Sequence, residues 1–168
     1  MLSEEELKYL KKIPQNKKVN FFPYDSKTTQ LVDNIIKKIK IKILDLEIKF
    51  IGASALKISG QGDFDIYVLC QREKFKHYVT KLIDIFGKPI FQGDYIQWEF
   101  KVGSHDVELY LTDPSDETVK DQFKIFEMLT KDKKLLLKYE HLKEAAKDLP
   151  YKEYQRKKYE FYNKLLDK

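Results

Sequence analysis

The stretch GASALKISGQGDFDIYVL, residues 52–69, decides the reading. A Gly- and Ser-containing loop runs directly into an apolar strand, and two carboxylates, Asp63 and Asp65, stand at the strand's mouth. The run FDIYVLC, residues 64–70, is nearly continuous in apolar residues, the pattern of a central strand buried on both faces. Residues two apart on a strand face the same side, so Asp63 and Asp65 point together, while Phe64 and Ile66 point into the opposite layer.

Upstream, LEIKFIG alternates as a strand that ends at Gly52. Leu31, Val32, Ile35, Ile36 and Ile39 recur at helical spacing and predict an amphipathic helix over about residues 27–40. Within the lysine-rich KKIKIK, residues 37–42, the interleaved isoleucines mark the wet side of a buried element rather than a binding tract. Pro23 biases Phe22 toward extended backbone, and Ser3 with Glu6 three residues later is a capping box for a first helix.

Downstream, Phe75, Val79, Leu82, Ile83 and Phe86 predict a helix stopped by Gly87. YIQWEFKV and HDVELYL both alternate with period two and are separated by Gly103 and Ser104, a hairpin signature. A two-residue turn there pairs Val102 with His105, Lys101 with Asp106, Phe100 with Val107 and Glu99 with Glu108. In TDPSDE, Asp113 is read as a cap with Pro114 at the first helical position. Three helical stretches then carry Val119, Phe123, Phe126 and Leu129, then Leu135, Tyr139 and Leu142, then Tyr151, Tyr154, Phe161 and Leu165.

With no linker or repeat, the 168 residues read as a single α+β domain: a mixed sheet with helices over about residues 17–112, and a helical tail over 113–168 packed on it. The 42% hydrophobic and 14% aromatic content is sufficient for a core. Cys70 alone cannot form an intramolecular disulfide, and no membrane-spanning or secretory run is present, which predicts a cytoplasmic protein. The net charge of +5 is spread as lysine, with Arg72 and Arg156 the only arginines. A nucleic-acid surface that reads bases or phosphates bidentately concentrates arginine, so the surplus reads as solubility.

Glu99 and Glu108 opposed across the hairpin are an unfavourable pair. Two carboxylates about 4 Å apart repel by roughly 4 kcal/mol at an effective dielectric near 20, so a fold that gathers several calls for a cation among them. Magnesium prefers oxygen ligands and keeps room for substrate phosphates. Acids on adjacent strands behind a loop whose amides can hold phosphate thus point to metal-assisted phosphoryl or nucleotidyl transfer. The competing reading is a set of solvated strand ends. Other patterns carry less. Ser104, His105 and Asp106 are adjacent and cannot converge as a triad, GQGDFD lacks the third glycine of a dinucleotide fingerprint, and His77, His105 and His141 have no zinc spacing.

FIGAS, GDFDIYV and VELYL together resemble the pattern of the polymerase-beta-type nucleotidyltransferase superfamily: a strand ending in Gly, a spacer, an Asp–apolar–Asp pair, and a third acid on a later strand. Ala53 departs from the usual Gly or Ser. Within that superfamily the sequence from FFPYDS onward is most similar to the GrpB-like family. Leu129, Tyr139, Leu142 and Lys143, and then Tyr154, Lys158 and Phe161, match that family's tail spacing. GrpB-like proteins commonly have an apolar residue at the position of Asp63 and histidine at that of Glu108, whereas this chain has the full acidic set.

The resemblance implies that Asp63, Asp65 and Glu108 bind one or two Mg2+ ions and carry the catalysis, on a nucleoside triphosphate such as ATP. Gly52, Ser54, Lys57 and Ser59 would hold the phosphates, and Glu108 would help deprotonate an attacking hydroxyl. Asp106 is the rival third ligand, its plainer role being a cross-strand pair with Lys101. The acceptor is unspecified. A nucleotide- or metal-binding regulatory, antitoxin-like module without turnover is the alternative, and a basic RNA-binding domain a third.

Overall fold

The computed structural model describes residues 2–167. Helix α1 (Glu4–Lys12) opens with the expected capping box: the Glu6 amide donates to Ser3 Oγ at 3.2 Å and the Ser3 amide to Glu6 Oε2 at 2.7 Å. Helix α2 (Thr28–Lys42) buries Val32, Ile35 and Ile39 and runs slightly past its expected end. Strand β1 (Glu47–Ile51) leads into the helical turn α3 (Gly52–Ala55), then strand β2 (Phe64–Leu69). Helix α4 (Phe75–Phe86) stops where Gly87 adopts φ +80°, a backbone conformation that glycine takes without steric cost.

Strands β3 (Phe91–Gln92), β4 (Ile96–Val102) and β5 (His105–Thr112) follow, then helices α5 (Glu117–Lys131), α6 (Lys133–Ala146) and α7 (Tyr151–Leu165). The sheet order is β1-β2-β5-β4-β3; β2 and β5 run parallel and the other neighbours antiparallel. The hairpin register is the one the sequence predicts, from Val102 opposite His105 through Glu99 opposite Glu108.

Period-two alternation assigns the two faces. Phe64, Ile66 and Val68 of β2, Val107, Leu109 and Leu111 of β5, and Ile96 and Trp98 of β4 form the main core with Ile35 and Ile39 of α2 and Leu82 of α4. A one-residue slip would expose all eight of the strand residues, each worth about 1.5–3 kcal/mol when buried, so this face fixes the register. On the other face, Tyr67 and Tyr110 stack at 4.8 Å and are covered by Phe123 and Phe126 of α5. Asp65 and Glu108 lie on that same face, one pleat toward the sheet's end, beyond the apolar cover.

Two local expectations change. Helix α5 begins at Glu117, with Asp116 at its N-cap position, so neither Asp113 nor Pro114 starts it. Asp113 instead caps the preceding turn, accepting from the Ser115 amide at 2.8 Å and from the Arg72 amide at 2.8 Å. No helix among the described residues is long and apolar enough to cross a membrane.

Candidate functional site

Parallel pairing sets Asp65 of β2 directly opposite Glu108 of β5, and the hairpin sets Glu99 of β4 opposite Glu108. Three neighbouring strands therefore bring a row of acids to one end of one face. Asp63 precedes β2 and lines a cavity of about 730 Å³ with Glu99, Glu108, Lys17, Lys18 and Tyr151. The sequence-predicted acids Asp63 and Glu108 thus share one hollow; Asp65 pairs with Glu108 in the sheet but does not line it.

Asp65 presses against the start of α3. A Cβ on Gly52 would fall 2.3 Å from Asp65 Oδ2, and Gly52 has φ +87°, so both space and backbone require glycine there. Among the described residues, neither the Asp63 nor the Asp65 carboxylate has a hydrogen bond or an ion pair within 4 Å. Burial, then the neighbouring charges of Asp63 and Glu108, push Asp65 up to about 8. Glu108 is also raised, by burial first and by Asp63 and Glu99, while the hydrogen bond donated by the Tyr110 hydroxyl opposes the shift.

The loop that delivers Asp63 is tied down from four directions. Lys143 Nζ donates to the Ser59 carbonyl at 2.8 Å and the Phe22 amide to the Gly60 carbonyl at 2.7 Å. His105 Nδ1 lies 2.7 Å from the Gly62 carbonyl, and Ser54 Oγ donates to the Asp63 carbonyl at 2.7 Å. His105 Nε2 meets Asp25 Oδ2 at 2.9 Å.

The remaining sequence candidates divide. The Ser54 hydroxyl is spent on this loop, and Ser59 contributes its carbonyl to Lys143. Lys57 is exposed at φ +58°. Asp106 pairs with Lys101 at 2.7 Å, its plainer role. Sequence reasoning gave Lys143 and Lys158 no chemical task, yet α6 and α7 bring both within electrostatic reach of Asp65. Their spacing in the tail was the available signal.

The donor set suits a hard divalent cation: carboxylate oxygens, two of them unpartnered, on adjoining positions of one face. As the side chains stand, no group of three or more His, Cys, Asp or Glu among the described residues is arranged to hold a metal ion. Glu108, turned to the Tyr110 hydroxyl, would have to rotate to join one.

The mixed sheet order and the helices on both faces make an α+β fold of the GrpB-like type. A solved structure with this likeness is the conserved protein GrpB from Enterococcus faecalis, with a TM-score of 0.61 at 12% identity over 88% of this chain and 99% of that chain. No family model matches the sequence, and no curated protein matches it.

Proposed function

We propose that this protein is a magnesium-dependent nucleotidyltransferase that moves a nucleoside monophosphate from a nucleoside triphosphate, such as ATP, to a hydroxyl acceptor. The observation that carries the reading is the hollow of about 730 Å³ lined by Asp63 and Glu108, with the unpartnered carboxylate of Asp65 on the strand position opposite Glu108. That volume lies within the usual range for a small-molecule site.

Bound magnesium would neutralise the acid row and polarise the phosphates. Asp63 and Asp65, from two positions of one face, would hold it, and Glu108 would complete the set. The Gly52 turn lets a phosphate approach the backbone closely. In the transfer, the acceptor oxygen bonds to the α-phosphorus, the bond from that phosphorus to the β-phosphate oxygen breaks, and pyrophosphate leaves with the electron pair. Glu108 accepts the hydroxyl proton. The tethered loop at 59–63 keeps Asp63 in position throughout, which limits the reorganisation the reaction requires.

A second reading is favoured by the Tyr110 hydrogen bond to Glu108 and by side chains not yet closed around an ion: a nucleotide-binding regulatory module without turnover. Pyrophosphate release during incubation with each nucleoside triphosphate and Mg2+ separates the two. Release that disappears in Asp65→Asn supports the transferase. Magnesium-dependent nucleotide binding without release supports the regulatory module.

A further inference from the structure

Residues 21–23 set an aromatic ring at the edge of the site, and the reading above gives it no task. Pro23 holds Phe22 in extended backbone, and neighbouring residues of an extended chain point to opposite sides. Phe21 turns inward, edge-on to Tyr154 at 5.0 Å, so Phe22 is turned out. Its backbone is nevertheless pinned: the Phe22 amide donates to the Gly60 carbonyl at 2.7 Å and the Gly60 amide to the Phe22 carbonyl at 3.1 Å. A Cβ on Gly62 would lie 3.4 Å from Phe22 Cδ2, so one edge of the ring rests beside the Gly62 backbone. Phe22 is still 54% exposed, and among the described residues its ring stacks on no other aromatic.

A single exposed apolar side chain needs no explanation by itself. Phe22 differs in where it stands. It lines the hollow of about 730 Å³ together with Asp63 and Glu108, and it also lines a second cavity of about 450 Å³ together with Tyr24, Ile58, Ser104 and His105. Gln61 and Asp106 border both, so the two cavities adjoin along this one wall. Their linings differ in charge. Lys17, Lys18 and Lys101 stand among the acids of the first, whereas the second is lined by the carboxylates of Asp25 and Asp106 and by no lysine or arginine among the described residues. A polyphosphate is therefore disfavoured in the second cavity. A planar, uncharged group with hydrogen-bonding edges suits it, with an aromatic wall to stack on and the polar side chains of Gln61 and Ser104 at hand. A nucleoside triphosphate joins these two parts in one molecule.

We propose that Phe22 is the stacking platform for the nucleobase: the base lies on its ring in the second cavity while the triphosphate reaches the acid row in the first. The assignment rests on the nucleotide reading above and adds the residue that holds the nucleoside. Stacking uses a face that every base has, so Phe22 contributes affinity with little choice among bases. The backbone that carries the ring is fixed before a ligand arrives, which spares the cost of ordering it on binding.

The test compares a non-hydrolysable ATP analogue with inorganic tripolyphosphate, which lacks the nucleoside, both in Mg2+ and on the full chain. Phe22→Ala is expected to weaken the ATP analogue about tenfold or more, the loss of one stacked base, and to leave tripolyphosphate unchanged. Phe22→Trp should keep the affinity, and its exposed indole should be quenched by the ATP analogue and not by tripolyphosphate, with the buried Trp98 as the internal control. Unchanged affinity for the ATP analogue in Phe22→Ala overturns the proposal. So does an equal loss for both ligands, which would mean that the ring only braces the loop carrying Asp63. Should Phe22→Ala fail to fold, Phe22→Leu keeps the apolar bulk without the flat face and is judged by the same two outcomes. A wild type that binds tripolyphosphate as tightly as the ATP analogue overturns the platform and leaves the acid row its reading. A wild type that binds neither overturns the nucleotide reading, and the platform with it.

Discussion

Asp65 and Gly52 form the tightest junction of the site. A methyl group at residue 52 has nowhere to go, with Asp65 Oδ2 at 2.3 Å, and a φ of +87° is strained for any L side chain. Gly52→Ala should cost about 2 kcal/mol or more in chemical denaturation, by strain and by displacing the carboxylate. Asp65 also sets a pH dependence. Its folded value, about 8, lies above the unfolded value of 3.8, so its contribution is fully present below about 3.8 and is lost as pH rises through 8. Lys143, depressed from 10.5 to about 7, acts in the opposite sense, its contribution being present above 10.5 and lost as pH falls through 7. Asp65→Asn should therefore match the wild type in melting temperature only below about pH 3.8, where Asp65 is protonated in both the folded and the unfolded chain, and exceed it increasingly as pH rises to about 8. Magnesium should narrow that gap by stabilising only the wild type. Equal melting temperatures across the range would refute the assigned burial.

At the scale of elements, the hairpin and the loop ahead of β2 differ in how far sequence could reach. The pairing of Val102 with His105 through Glu99 with Glu108 follows from two alternating runs and a two-residue turn, so it was readable residue by residue. The parallel pairing of Asp65 with Glu108 is not local; it follows only once β2 and β5 become neighbours, although the acid pattern foretold the meeting. Strand β3, two exposed residues at the sheet edge, carries no periodicity to detect. The start of α5 was misplaced because Asp113 and Asp116 both offer a plausible cap, and the choice is made by the distant Arg72, whose amide reaches Asp113. The clamp on residues 59–63 was equally hidden, since its four donors come from Ser54, Phe22, His105 and Lys143. His105→Ala should leave the Gly62 carbonyl without its partner and release Asp25, at a cost of about 1–3 kcal/mol. Hydrogen exchange should then quicken across residues 59–63 while β4 and β5 stay protected. Unchanged exchange in that loop would show that the other three ties suffice.

Across the whole molecule, the N-terminal segment and the tail behave as one piece. Leu10, Ile13 and Val19 share a cluster with Ala146, Tyr151 and Tyr154, and the Tyr151 amide donates to the Lys17 carbonyl at 2.7 Å. The same segment places Lys17 and Lys18 on the rim of the hollow, and α7 places Tyr151 there. Composition and periodicity announced three tail helices but not that the last of them lines the hollow, because that depends on which faces meet. Leu10→Ala removes a side chain only 4% exposed and should cost about 2–4 kcal/mol. Its effect should extend to α7, raising amide exchange there and weakening magnesium-dependent nucleotide binding, with the main core around Trp98 unaffected. An effect confined to α1 would mean that the two ends do not act together.

If the acid row at the end of β2 and β5 holds a metal-bound nucleoside triphosphate, calorimetric titration with a non-hydrolysable nucleoside triphosphate, with and without Mg2+, should show binding by the wild type that requires Mg2+ and is absent from the Asp63→Asn, Asp65→Asn double variant. Equal binding by the two proteins, or none by the wild type, would mean that the acids serve another purpose.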